Sequence, residues 1–102
     1  MSPHERHLIL SPRAEEDLTD ILQYTLENWG EEQLLAYRAI LDKAFSTLRG
    51  NPQIGMRRPE ISREHRIFPA GSHIIVYRVS DVAILVSRIL HVRMDVRRQN
   101  SL

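Results

Sequence analysis

The sequence predicts an α+β fold of order β-α-α-β-β-β, in which an antiparallel sheet packs against an N-terminal helical hairpin. Three observations carry this prediction. Val, Ile, Tyr and Leu dominate Ile74 to Val79 and Val82 to Leu90, and such side chains favour a pleated, half-buried surface over a helix. Between Ser11 and Gly50, apolar residues recur twice at helical spacing, with a break at Asn28-Trp29-Gly30. No repeat, linker or low-complexity tract interrupts the order, which reads as one layered unit over residues 1–102.

His7-Leu-Ile-Leu10 is a short apolar run that reads as the first strand, ended by Ser11-Pro12. That pair starts a helix: Ser11 can cap the first free amides, Pro12 suits the first turn, and Glu15, Glu16 and Asp17 lie where the helix dipole favours negative charge. Ala14, Leu18, Ile21, Leu22, Thr25 and Trp29 then form one apolar stripe, and Gly30 can take a left-handed cap conformation.

Glu31 and Glu32 open a second helix, with Leu34, Tyr37, Leu41, Ala44, Phe45 and Leu48 as its stripe and Gly50-Asn51-Pro52 as its end. The short link makes the helices an antiparallel pair packed through their stripes and against the sheet. On this spacing Tyr24, Trp29 and Tyr37 are expected as core or inter-helix packing, not as a stacking platform for bases. Residues 51–60 read as loop, Arg63 to Phe68 as a strand, and Pro69-Ala-Gly-Ser72 as the turn into the C-terminal hairpin. Ser80-Asp81 has no glycine, so either a primed two-residue turn or a longer loop can join that hairpin.

A chain of 102 residues can bury about two-thirds of its unfolded surface in a single core. The absence of cysteine excludes disulfides, thiol chemistry and zinc held by thiolates. The five histidines lack the spacing of two ligands on one helix face, so no metal and no cofactor is expected. No apolar run approaches the ~20 residues of a membrane helix, and Met1-Ser-Pro-His-Glu-Arg-His7 has no signal-peptide core. A cytoplasmic location is the expectation.

The net charge of +1 conceals an asymmetry: residues 1–49 carry five Lys+Arg against nine Asp+Glu, and residues 50–102 carry nine against four. The basic half is expected to meet something negative, either nucleic acid or an acidic protein segment. Arg78 stands among Ile74 and Val76, and Arg88 among Ile84 and Val86, so strict alternation places apolar and cationic groups on one sheet face. Guanidinium groups are almost never buried alone. Either these arginines reach the rim or pair within the chain, or their face awaits an acidic or amphipathic partner.

Several stretches resemble the ParE branch of the ParE/RelE toxin family: Ser11-Pro-Arg-Ala-Glu-Glu-Asp-Leu18, Glu27-Asn-Trp-Gly30, Asn51-Pro-Gln-Ile-Gly55, Arg66-Ile-Phe-Pro-Ala-Gly-Ser-His-Ile-Ile-Val-Tyr-Arg78 and Arg88-Ile-Leu-His-Val-Arg-Met-Asp95. The resemblance spans nearly the whole chain. It implies a toxin of a type II toxin-antitoxin pair, neutralised by a small antitoxin that wraps the toxin surface. ParE proteins are inhibitors that trap DNA gyrase on cleaved DNA, whereas RelE-like relatives cut messenger RNA on the ribosome.

A RelE-like nuclease must activate a ribose hydroxyl, stabilise a crowded phosphate and protonate a leaving oxygen. The resemblance implies Lys and Arg on the middle strands, an Arg after the last strand and a Tyr or His near the C-terminus. This chain has Phe68 and Ile74 where the middle strands would offer cations, and residues 95–102 hold no Tyr or His. Arg93 alone matches, so no catalytic residues are assigned and a gyrase inhibitor is the expected activity. The basic end would then meet the target through His91, Arg93, Asp95, Arg97 and Arg98, with Arg57 and Arg58 as neighbours. Arg66, Ile74, Val76, Arg78, Ile84, Val86 and Arg88 would form the face for the antitoxin. One alternative is a ribosome-dependent endoribonuclease using Arg93 with His91 as base; His65 is the only other candidate proton-transfer group near the basic half. Another is a corepressor that reaches operator DNA only through the antitoxin, since nothing resembles a helix-turn-helix.

Overall fold

A computed structural model describes residues 6–94. The elements are β1 (His7–Leu10), α1 (Pro12–Trp29), α2 (Glu31–Gly50), a 3-10 turn (Pro52–Ile54), β2 (Met56–Arg57), β3 (Arg66–Ala70), β4 (His73–Val79) and β5 (Ala83–His91). The five strands lie in the order β1-β5-β4-β3-β2. Pairing from β5 through β4 and β3 to β2 is antiparallel, whereas β1 runs parallel to β5. The sheet is therefore mixed: the helical hairpin carries the chain from β1 to β2 at the far edge, and the run β2-β3-β4-β5 brings it back beside β1 in the same direction.

The helices begin and end where their capping chemistry places them. Ser11 Oγ accepts the Ala14 amide at 3.0 Å, and Pro12 occupies the first turn of α1. Gly30 alone separates the two helices; its φ of 89° lies in the region that L side chains avoid. Residues 51–60 contain the short β2, and β3 starts at Arg66 rather than Arg63 and runs through Pro69 to Ala70. The turn into β4 is thus Gly71-Ser72. Residues 80–82 form the longer of the two connections open to the hairpin, closed by Ser80 N donating to Ala83 O at 2.9 Å.

The main core lies between helices and sheet: Ala14, Leu41, Ala44, Phe45 and Leu48 meet Ala70, Ile75, Tyr77, Ile84, Val86 and Ile89. Each large side chain taken out of water here contributes about 1.5–3 kcal/mol. A smaller cluster covers the opposite face, where Val76 and Leu90 pack with Ile61, Ile67 and Ile74.

The β4–β5 register, interrupted by a β-bulge, decides which residues share a face. Tyr77 faces Val86 but Val76 faces Arg88, leaving Ser87 as the extra residue. Ile84 and Val86 point under the helices, whereas Ile74 and Val76 pack on the other side. The expected common face of Ile74, Val76, Ile84 and Val86 is therefore corrected. Ser11 ties the bulge to α1, accepting nothing from it but donating from Oγ to Ser87 O at 2.8 Å and from N to Val86 O at 2.9 Å.

Candidate functional site

The helical stripes carry one error with functional weight. Trp29 and Tyr24 are not packed in a core but are 70% and 62% exposed. Trp29 stands in the last turn of α1, and Tyr24 sits about 100° round the helix from buried Thr25. Both line a groove of about 660 Å³ between the C-terminal half of α1, the start of α2 and the ends of β4 and β5. Asp20, Ile21 and Gln33 line it with them, and its sheet end is formed by Ser72, His73 and His91.

Tyr37, half-buried on α2, organises that end. Its hydroxyl accepts the Ser72 amide at 2.9 Å and lies 2.5 Å from His73 Nδ1 and 3.3 Å from the Ala70 carbonyl. Gly71, with φ of 60°, makes the contact possible: a Cβ there would come within 2.7 Å of the Tyr37 ring. The Tyr37 and His91 rings both meet His73 edge-on, with centroids at 5.5 and 5.4 Å. Burial and then the neighbouring His91 lower the pKa of His73, with Asp17 opposing them. His91 Nδ1 accepts the Arg93 amide at 3.2 Å.

Among the residues expected to meet a target, His91 and Arg93 stand together at this end of the sheet, with Arg93 exposed. Asp95, Arg97 and Arg98 lie outside the described residues. Arg57 is not a neighbour of His91 and Arg93: it pairs with Arg66 on β3, in line with Tyr77 and Val86, three strands from β5 or ~14 Å at ordinary strand spacing. Arg58 is held by an ion pair with Glu60 and by its amide donating to His65 O at 3.2 Å.

The arginines expected to meet a partner through the sheet divide as well. Arg88 is 5% exposed and makes a two-pronged pair with Asp17 of α1, through Nε at 2.7 Å and Nη2 at 3.0 Å. That pairing keeps its pKa raised. Arg66 donates from Nη1 to the carbonyls of Gln53 and Gly55 at 3.1 and 2.8 Å. Arg78 remains exposed. With Ile84 and Val86 in the main core, the seven expected antitoxin-facing residues do not form one surface.

His65 is 8% exposed. Its Nδ1 meets Ser62 Oγ at 2.7 Å and its Nε2 meets Ser87 Oγ at 3.3 Å, so both ring nitrogens are occupied by hydroxyls that fix the loop before β3 to the bulge. Burial, followed by the charge of Arg78, lowers its pKa against the opposing effect of Glu64. Among the described residues there is no group of three or more His, Cys, Asp or Glu that could hold a metal, and no helix is long and apolar enough to cross a membrane.

This helical hairpin on a mixed five-stranded sheet defines a RelE/ParE-like toxin fold. The chain belongs to the family of the ParE toxin of type II toxin-antitoxin system, parDE, whose model matches residues 8–96. It is 41% identical over 91 residues to Toxin ParE1 of Mycobacterium tuberculosis, covering 88% of this chain and 93% of that protein. It is also 34% identical over 88 residues to Toxin ParE1 of Caulobacter vibrioides, covering 86% and 91%. The same fold occurs in the chromosomal ParDE toxin-antitoxin system from P. aeruginosa, with a TM-score of 0.74, 22% identity and coverage of 88% of this chain and 99% of that one. The toxin-antitoxin complex RelBE2 from Mycobacterium tuberculosis aligns with a TM-score of 0.60 and 21% identity, covering 85% and 98%.

Proposed function

We propose that this ParE toxin acts in the cytoplasm as a non-enzymatic inhibitor of DNA gyrase that stalls the enzyme with DNA cleaved, and that a cognate antitoxin neutralises it. One observation carries the non-enzymatic reading. Phe68 and Ile74, at the positions where a RelE-type nuclease presents cations, are packed into the two apolar clusters on opposite faces of the sheet. Without converging cations, a crowded phosphate has too little electrostatic stabilisation for cleavage. Arg93 and His91, continued by Asp95, Arg97 and Arg98, supply the target-facing end. Replacing Arg93, Arg97 and Arg98 together by alanine is expected to abolish growth arrest and inhibition of supercoiling while leaving antitoxin binding largely intact. Full toxicity in that variant would overturn the assignment.

The antitoxin would lie in the α1/α2 groove. Exposed Trp29 and Tyr24 give it the aromatic anchors on which protein interfaces depend, and its length along two helices suits an amphipathic segment. Operator DNA would be reached only through that antitoxin.

The contacts among Tyr37, His73 and His91 favour a second reading, ribosome-dependent cleavage of messenger RNA. Two imidazoles and a phenol beside Arg93 could exchange protons with a ribose hydroxyl and a leaving oxygen. Programmed ribosomes with the purified chain decide it: new RNA ends that disappear in His91→Ala support cleavage, and intact message excludes it.

A further inference from the structure

A second cleft, of about 330 Å³, lies at the opposite end of the sheet from His73 and His91, beside the turn that joins β4 to β5. Four arginines line it, Arg6, Arg57, Arg63 and Arg66, together with Gln53, Glu64, Val79, Ser80 and Asp81. Four cations against two carboxylates leave an excess of two positive charges in a small space. Arg57 and Arg66 stand directly opposite each other across the antiparallel β2–β3 pair, an arrangement in which like charges oppose folding unless an anion sits between or beside them.

Three features describe what would fill it. The Nε of Arg6 is buried and has no hydrogen-bond partner, and such an orphaned donor is costly until an acceptor arrives. Arg66 is fixed by its two carbonyl contacts, so its fork is already positioned. Arg57 and Arg63 are exposed and form no ion pair among the described residues. Guanidinium forks match the oxygens of a phosphate in shape and charge. Val79 is the sole apolar residue in the lining, leaving no ring on which a base could stack and no apolar anchor for a protein segment.

We propose that this arginine cleft binds a backbone phosphodiester of a nucleic acid. The site reads charge and geometry, not sequence, and is separate from the groove that bears Tyr24 and Trp29. It holds for the chain by itself, whether or not gyrase is the target.

The test is fluorescence anisotropy of the full chain with a short labelled DNA duplex, a single-stranded RNA and an oligoglutamate peptide, each over a range of salt. Binding should weaken steeply with salt, with a logarithmic slope of about −0.9 per neutralised phosphate on duplex DNA. Arg57→Ala and Arg63→Ala should each weaken nucleic-acid binding about threefold or more and reduce that slope by about one. Arg38→Ala, on the outer face of α2, should change neither. Arg57→Lys, which retains charge without the fork, guards against loss of fold and should fall between wild type and Arg57→Ala. Tighter binding of the duplex assigns the phosphodiester to DNA, and tighter binding of the single strand assigns it to RNA. Equal affinity of wild type and both alanine variants, or preference for the acidic peptide, would overturn the proposal.

Discussion

Asp17 of α1 grips Arg88 of β5 with both carboxylate oxygens and also accepts the Ile89 amide at 3.0 Å. Pairing of β1 with β5 reaches only Leu10 and Val86, so one acid both neutralises a buried cation and occupies the strand edge beyond β1. Removing one partner of such a pair leaves an uncompensated buried charge, at a cost of about 3–5 kcal/mol. Asp17→Ala should lower the unfolding free energy by that amount in urea titrations. Asp17→Leu combined with Arg88→Met should recover much of the loss, since an apolar pair leaves no stranded charge.

Tyr77 gives a comparable test on the other side of the core. Its hydroxyl donates to Pro52 O at 2.7 Å and accepts the Gly55 amide at 2.9 Å, which fixes the 3-10 turn over β4, and burial raises its pKa. Tyr77→Phe strands both backbone groups and should cost about 1–3 kcal/mol, read as a lower midpoint with an unchanged denaturant slope.

Acid should weaken the fold through two histidines. His65 and His73 both have folded pKa values below the ordinary 6.5, so below that pH the unfolded chain binds more protons than the folded one. Stability is therefore full above 6.5 and declines as pH falls through it toward the folded values. Denaturation followed from pH 8 to 5 should show this decline, and His65→Gln should reduce its steepness.

The groove separates binding from folding. Trp29→Ala and Tyr24→Ala remove exposed side chains, so stability should change by no more than about 0.5 kcal/mol, while antitoxin affinity measured by calorimetry should fall at least tenfold. Unchanged affinity would place the antitoxin elsewhere.

Much of this fold was legible because its signals are local. Ser11-Pro12 starts α1, Gly30 divides the helices, and the stripe from Tyr37 to Leu48 packs as its period requires. The bulge at Ser87 was not legible, because strict alternation carries no mark of an inserted residue. Continuing the Val79 and Ile84 register unbroken would set His73 opposite Leu90; the bulge sets it opposite His91 and brings the two imidazoles together. The sheet face inferred from Ile74, Val76, Ile84 and Val86 fails for a separate reason: Tyr77, not Val76, stands opposite Val86. Arg88 looked available in sequence because its partner lies 71 residues away. Tyr37 read as packing alone, since nothing near it in sequence marks the Gly71-Ser72 turn that its hydroxyl holds.

The most direct test adds the purified chain to gyrase, relaxed plasmid and ATP, with products resolved after detergent and protease. Loss of supercoiling together with accumulation of linear DNA is expected, suppressed when Arg93, Arg97 and Arg98 are alanine. Normal supercoiling with no linear DNA at saturating toxin would contradict it.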